Sequence, residues 1–151
     1  MIDYLGRLLL FVVLSGTISL ALAGDASNLR VEVSGLQKAD GNIYLTVYDS
    51  DDTWLGEEFV LQEKVAIAEA RVDDLVHVEL SLPQGEYAIS IYHDSNDNGD
   101  LDTNWIGIPK EPVALSNNAK PRFGPPKYKD AVFTLGAEPV TQRIAITTVE
   151  D

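Results

Sequence analysis

Asn42-Ile43-Tyr44-Leu45-Thr46-Val47-Tyr48-Asp49 alternates strictly for seven residues before an aspartate ends it. Ile43, Leu45 and Val47 fall on one side, and Tyr44, Thr46 and Tyr48 on the other. A period of two over this length is the mark of a β-strand with one face in a core. The same period recurs along the chain. Leu29, Val31 and Val33 alternate with polar residues and stop at Gly35. Val76, Val78, Leu80 and Leu82 alternate with His77, Glu79 and Ser81. The turn Pro83-Gln84-Gly85 follows, and Tyr87, Ile89, Ile91 and His93 form one face of the next strand. Phe133 lies in a short strand candidate, and Arg143 to Val149 makes a closing one.

Residues 57–72 are ambiguous. Val60, Leu61, Lys64, Val65 and Ala68 fit a helical stripe, while Val65-Ala66-Ile67-Ala68 fits a strand. The surrounding β pattern favours a strand near 64–71. Six or seven short strands punctuated by Gly, Pro, Asn and Asp predict an all-β fold: a single two-sheet β-sandwich of about seven strands, immunoglobulin- or transthyretin-like, with a small barrel as the alternative. One long structured loop, from Asp94 to about Ala131, interrupts the pattern. Trp105, Ile108, Phe123 and Tyr128 give it side chains with which to pack. Loops of this length in compact domains are usually functional or disordered, and these side chains favour packing.

The N-terminus stands outside this pattern. Met1 to Arg7 is a short polar start with one positive side chain, Leu8 to Leu22 is almost wholly apolar, and Ala21-Leu22-Ala23 has the small-x-small form of a signal-peptidase site. Residues 1–23 are therefore read as a secretory signal cleaved before Gly24. The other reading is a retained membrane anchor. Ser15, Gly16, Thr17 and Ser19 dilute the apolar run, which is short against the roughly 20 residues of a span. Residues 24–151 would then form one exported β-sandwich domain, periplasmic or extracellular, with no stable membrane anchor.

The chain is 45% hydrophobic and 23% charged, which suits a globular protein. Its net charge of -13 survives removal of the signal, because Asp3 and Arg7 cancel. Acidity of this size argues against nucleic acid or an anionic lipid surface as partner. The chain has no cysteine, which excludes thiolate metal sites, iron–sulfur clusters and disulfides.

The sharpest chemical signal is Asp94-Ser95-Asn96-Asp97-Asn98-Gly99-Asp100-Leu101-Asp102. Asp94, Asn96 and Asn98 recur at every second position, Gly99 permits a sharp turn, Asp100 can offer its backbone carbonyl, and Asp102 follows. Those positions match the first half of an EF-hand loop. The twelfth position, which needs a bidentate Glu, holds Trp105, and a strand leads in where an EF-hand has a helix. This is an EF-like half-loop on a β scaffold that needs further ligands from elsewhere. Asp97, Glu111 and the Asp49-Asp51-Asp52 cluster are candidates. An all-oxygen set favours Ca²⁺ over zinc, copper or Mg²⁺. The competing reading is a polar turn that binds nothing.

His93, just before the loop, reads as closing the core edge, with a general base or extra ligand as its other role. His77 alternates outward. Trp54 reads as a core anchor. Neither a G-x-S-x-G elbow nor an H-E-x-x-H motif is present. The Pro- and Gly-rich stretches after Trp105 read as a rigid loop packed over the sandwich. Alternatively they form a preformed ledge with Trp105, Asn117, Asn118 and Phe123 on it, suited to carbohydrate or peptide contact, and the partner surface for a protein or glycan would comprise His93, Trp105, Glu111, Asn117 and Phe123.

Gly85-Glu86-Tyr87-Ala88-Ile89, His93-Asp94-x-Asn96-x-Asn98-Gly99-x-Leu101-Asp102, Gly107-Ile108-Pro109-Lys110-Glu111, Ser116-Asn117-Asn118 and Phe123-Gly124-Pro125-Pro126 follow in order. This series resembles the bacterial exported family catalogued as domain of unknown function 2141, over about residues 29–147. The resemblance implies an exported β-sandwich and brings no reaction, ligand or catalytic residue. The expectation is therefore a non-enzymatic exported module with a Ca²⁺ loop. Its alternatives are a small-ligand carrier, or a hydrolase using His93 and a loop carboxylate.

Overall fold

A computed structural model describes residues 25–121 and 124–149. The apolar segment read as a signal lies outside these residues, and so does Phe123. Among these residues nine strands form two sheets, with only single turns of helix between them. They are β1 (Ala26–Ser34), β2 (Asn42–Tyr48), β3 (Leu61–Ala66), β4 (Arg71–Val72), β5 (Leu75–Pro83), β6 (Gly85–Asp94), β7 (Val113–Leu115), β8 (Phe133–Leu135) and β9 (Val140–Ala145). One sheet has the order β4-β5-β1-β9. The other runs β3-β2-β6-β7, with β8 also paired to β6. All pairings are antiparallel except β1 with β9.

The alternating residues point where their period requires. Leu29, Val31 and Val33 of β1, Ile43, Leu45 and Val47 of β2, and Ile89 of β6 are wholly buried between the sheets, with Val76 of β5 and Ile144 of β9 among them. Burial of these side chains is the main force holding the sheets together, at roughly 1.5 to 3 kcal/mol for each. The turn at Gln84 is not a hairpin, because β5 and β6 lie in different sheets.

Three expectations change. The predicted strand over 64–71 is a strand to Ala66 followed by one helical turn, α1 (Ile67–Ala70), and then β4. The chain leaves one sheet for the other here, and the turn drives Ile67 fully into the core. The closing strand begins earlier than Arg143 and ends at Ala145. Beyond it Ile146 N–H donates to Ser34 O at 2.9 Å and Thr147 N–H to Val113 O at 3.1 Å, so the last residues tie the sheets edge to edge. Trp54 lies on the outer face of the second sheet and not in the core. Its ring meets Tyr48 and Tyr128 edge-on, and its Nε1–H donates to Pro126 O at 2.9 Å, which pins the long loop.

Tyr48, Tyr87, Tyr92 and Tyr128 all have phenols pushed above their ordinary value of 10.0, chiefly by burial. Tyr92 is pushed up to about 12, helped by the charges of Tyr44, Asp94, Asp100 and Glu111. The folded protein thus holds these protons more tightly than the unfolded chain. Stability from this source is intact below pH 10 and is lost as pH rises towards 12. Phenolate absorbance followed beside circular dichroism should show late ionisation coupled to unfolding. Four phenols titrating at the ordinary value in a still-folded protein would contradict this.

Candidate functional site

Strand β6 delivers Asp94 to the loop. Asp94 lies opposite Asn42 at the end of the β2–β6 ladder and is wholly buried. Its Oδ1 accepts Asn98 N–H at 3.2 Å and its Oδ2 accepts Gly99 N–H at 2.9 Å. The chain therefore wraps around this carboxylate. Two Asx turns tighten the wrap: Asn96 Oδ1 accepts Asn98 N–H at 3.1 Å, and Asn98 Oδ1 accepts Asp100 N–H at 2.9 Å. Asp97 and Gly99 hold φ of 58° and 84°, the left-handed region that Gly adopts freely and Asp tolerates.

Asp102 closes the ring. Its Oδ2 accepts Asn96 Nδ2–H at 2.8 Å and its Oδ1 accepts Asn98 Nδ2–H at 3.3 Å. The four side chains chosen as cation ligands, those of Asp94, Asn96, Asn98 and Asp102, are thus joined in one network. Asp100 is exposed and contributes its N–H. Among the described residues no three His, Asp or Glu side chains converge as a metal group, so carboxylates alone do not build a centre here. An ion would have to use amide oxygens as well. Rotating the Asn96 and Asn98 amides would turn those oxygens towards Asp102, where their N–H groups now donate.

The structure sorts the remaining ligand candidates. Asp97 turns away, accepting Asn42 Nδ2–H at 2.8 Å and pairing with Lys64 at 3.0 Å. The Asp49-Asp51-Asp52 cluster is at the wrong end. Asn42 pairs with Asp94 and Tyr48 with Ala88, so six strand residues, about 20 Å, separate the two groups. Glu111 is the candidate that belongs. It is 5% exposed, its Oε1 accepts Ser95 N–H at 3.1 Å, and its Oε2 accepts Asp102 N–H at 3.1 Å. One side chain therefore brackets both ends of the loop.

A hairpin grows from the same base. Lys110 N–H donates to Asp102 O at 2.8 Å, Thr103 bridges Pro109, and Asn104 N–H donates to Ile108 O at 2.8 Å. Asn104 Oδ1 accepts the N–H groups of Ile106 at 3.0 Å and Ile108 at 2.9 Å. At the tip Trp105 is 94% exposed and Ile106 56% exposed. The expectation that Trp105 helps the loop pack is corrected: its backbone is locked while its indole stands in solvent.

His93 and Asn117, also expected on a partner surface, are engaged elsewhere, and Phe123 lies outside the described residues. His93 points inward, 2% exposed, with Nε2 2.8 Å from Asp40 O. A carbonyl only accepts, so that nitrogen carries a proton in this contact. Asn117 stands against β9: its N–H donates to Gln142 Oε1 at 3.2 Å and its Nδ2–H to Val132 O at 2.8 Å. The neighbouring Ser116, wholly buried, takes Ile89 N–H at 2.8 Å and donates to Ala131 O at 2.6 Å. Sequence reasoning gave this serine no role. Its place in an Asn-rich break between two apolar runs was the available signal.

A family model described as "Uncharacterized protein conserved in bacteria (DUF2141)" matches residues 31–143. No curated protein and no solved structure matches the chain.

Proposed function

The chain belongs to that bacterial family, and we propose that it is an exported, non-enzymatic recognition module whose 94–102 loop takes Ca²⁺ and whose 103–109 hairpin presents Trp105 to a protein or glycan partner. The observation that carries this reading is the double use of Asp102. Its carboxylate closes the oxygen ring of the loop, and its backbone carbonyl starts the hairpin. An ion drawn into the ring would fix the base from which the indole projects. Electrostatics points the same way: Asp94, Asp97, Asp100, Asp102 and Glu111 crowd this region, with Lys64 on Asp97 as their ion-pair partner. A divalent cation would relieve that repulsion. Preorganised aromatic anchors are what partner-binding surfaces use most effectively.

Close packing of Leu29, Leu45, Ile89 and Ile144 between the sheets favours a surface module over an internal carrier. The engagement of His93 with Asp40 O favours a structural role for that ring over a general base.

The test is calorimetric titration of chelator-treated protein with Ca²⁺, beside an Asp94→Ala, Asp102→Ala double variant. Binding to the parent should raise its melting temperature, by the equivalent of about 2.7 kcal/mol at free calcium 100-fold above Kd. A Trp54→Phe background leaves Trp105 as the sole tryptophan, and its fluorescence anisotropy should rise with the same titration. Neither signal should appear in the double variant. Absence of heat and of any melting shift at millimolar calcium in the parent would overturn the reading.

A further inference from the structure

The acidic chain has one basic segment. Residues 112–129 contain no Asp or Glu yet hold four of the chain's 11 Lys and Arg. Three of these, Lys120, Lys127 and Lys129, line an open depression of about 190 Å³ together with Pro125, Pro126 and Asp130. Among the described residues Arg30, Lys64, Arg71 and Arg143 are each paired with an acid. Among the described residues the side chains of Lys120, Lys127 and Lys129 have no such partner, nor do those of Lys38 and Lys110, but only the first three share one depression. Three lysines lining one depression beside a single carboxylate leave a local excess of positive charge, which an anion would offset.

The walls are rigid without a ligand. Trp54 Nε1–H holds Pro126 O at 2.9 Å, and its ring meets Tyr128 edge-on at 5.8 Å. Ser116 and Asn117 hold the carbonyls of Ala131 and Val132, at 2.6 and 2.8 Å. Lys127 and Lys129 therefore stem from a braced frame, flanked by the bonds at Pro126, Ala131 and Val132. We propose that this depression binds a small oxyanion, a phosphate group above all. Pockets for drug-sized ligands run to roughly 300 to 1,000 Å³, so this smaller depression suits one phosphate-sized group and its water. Three ammonium groups suit a dianion better than a monovalent carboxylate. The -13 net charge opposes long polyanions such as nucleic acid. This site is independent of the cation loop.

Inorganic phosphate is the probe, titrated at constant ionic strength into the chelator-treated protein and followed by amide chemical shifts. A saturable response confined to residues 116–132 is expected, with Kd on the order of 1 mM because the lysines are exposed and screened. Acetate should bind at least about tenfold more weakly. A Lys127→Gln, Lys129→Gln variant changes two exposed side chains and should keep the parent melting temperature while losing at least about tenfold in affinity. No saturable response to phosphate would overturn the proposal. So would equal responses to phosphate and acetate, or an unchanged affinity in the folded double variant.

Discussion

Gly41→Ala is expected to cost about 3 to 4 kcal/mol and to lower the melting temperature by about 15 °C. Two separate effects add. Gly41 holds φ of 82°, a left-handed conformation that costs a residue with a Cβ about 1 to 2 kcal/mol. A Cβ there would also collide with the carbonyl oxygen of Asp94 and stand 3.1 Å from Ser95 Cα. Both obstacles are backbone, so no side-chain rotamer relieves them. The chain must shift, at roughly 1 to 3 kcal/mol. The shift would fall where His93 holds Asp40 and where Asp94 enters the loop. Calcium binding, if the loop takes it, should weaken in step. Thermal melts of the variant beside Lys38→Ala, an exposed change in the same turn, separate this strain from general sensitivity of residues 35–41. A Gly41→Ala protein melting within about 2 °C of the parent would refute the account.

The four long strands were legible because each pairs a buried face with a more polar one. Ile43, Leu45 and Val47 could be assigned to the core from period alone, and all three are wholly buried. Strands of two or three residues, such as Arg71–Val72 and Val113–Leu115, are too short to show a period. They exist because the neighbouring strands offer open ladder positions, and no local preference announces them. The helical turn at Ile67–Ala70 was hidden for a related reason. Its cause is a crossing between sheets, which is a tertiary demand laid on a segment that suits either conformation.

The loop divides in the same way. Asp94, Asn96, Asn98 and Asp102 were legible because their two-residue spacing and the glycine are local. Which distant acid completes them was not. The β2–β6 register removes the Asp49 cluster, and the Thr103–Pro109 bridge brings Glu111 in. Asn104-Trp105-Ile106-Gly107 has the composition of a hairpin tip, and that signal could have placed Glu111 beside Asp102. The exposure of Trp105 could not be read at all, since an aromatic residue in a rigid loop is buried more often than displayed.

Glu111 carries the other large effect. Glu111 is 5% exposed, and its carboxylate accepts two backbone N–H groups that have no other partner among the described residues. Removing a buried carboxylate has opposite consequences: relief of its desolvation cost, and loss of two charge-assisted bonds worth about 1.5 to 3 kcal/mol each. Ser95 is exposed and Asp102 half-buried, so water recovers part of that loss. The bonds still win, because they tether both ends of an eight-residue excursion at one point. Glu111→Ala is therefore expected to cost about 2 to 3 kcal/mol, or about 10 °C in melting temperature. Glu111→Gln is not a mild substitute. Its carbonyl can replace one acceptor, but its amide then sets a donor against the second N–H, so it should lose more than half of the same stability. On the proposed calcium reading, both variants should bind the ion at least about tenfold more weakly than the parent, since the loop ends are no longer held. Two variants that melt with the parent would show that Glu111 is an idle occupant of the loop base. A Glu111→Gln protein as stable as the parent beside a destabilised Glu111→Ala would show instead that filling the space matters and accepting two hydrogen bonds does not.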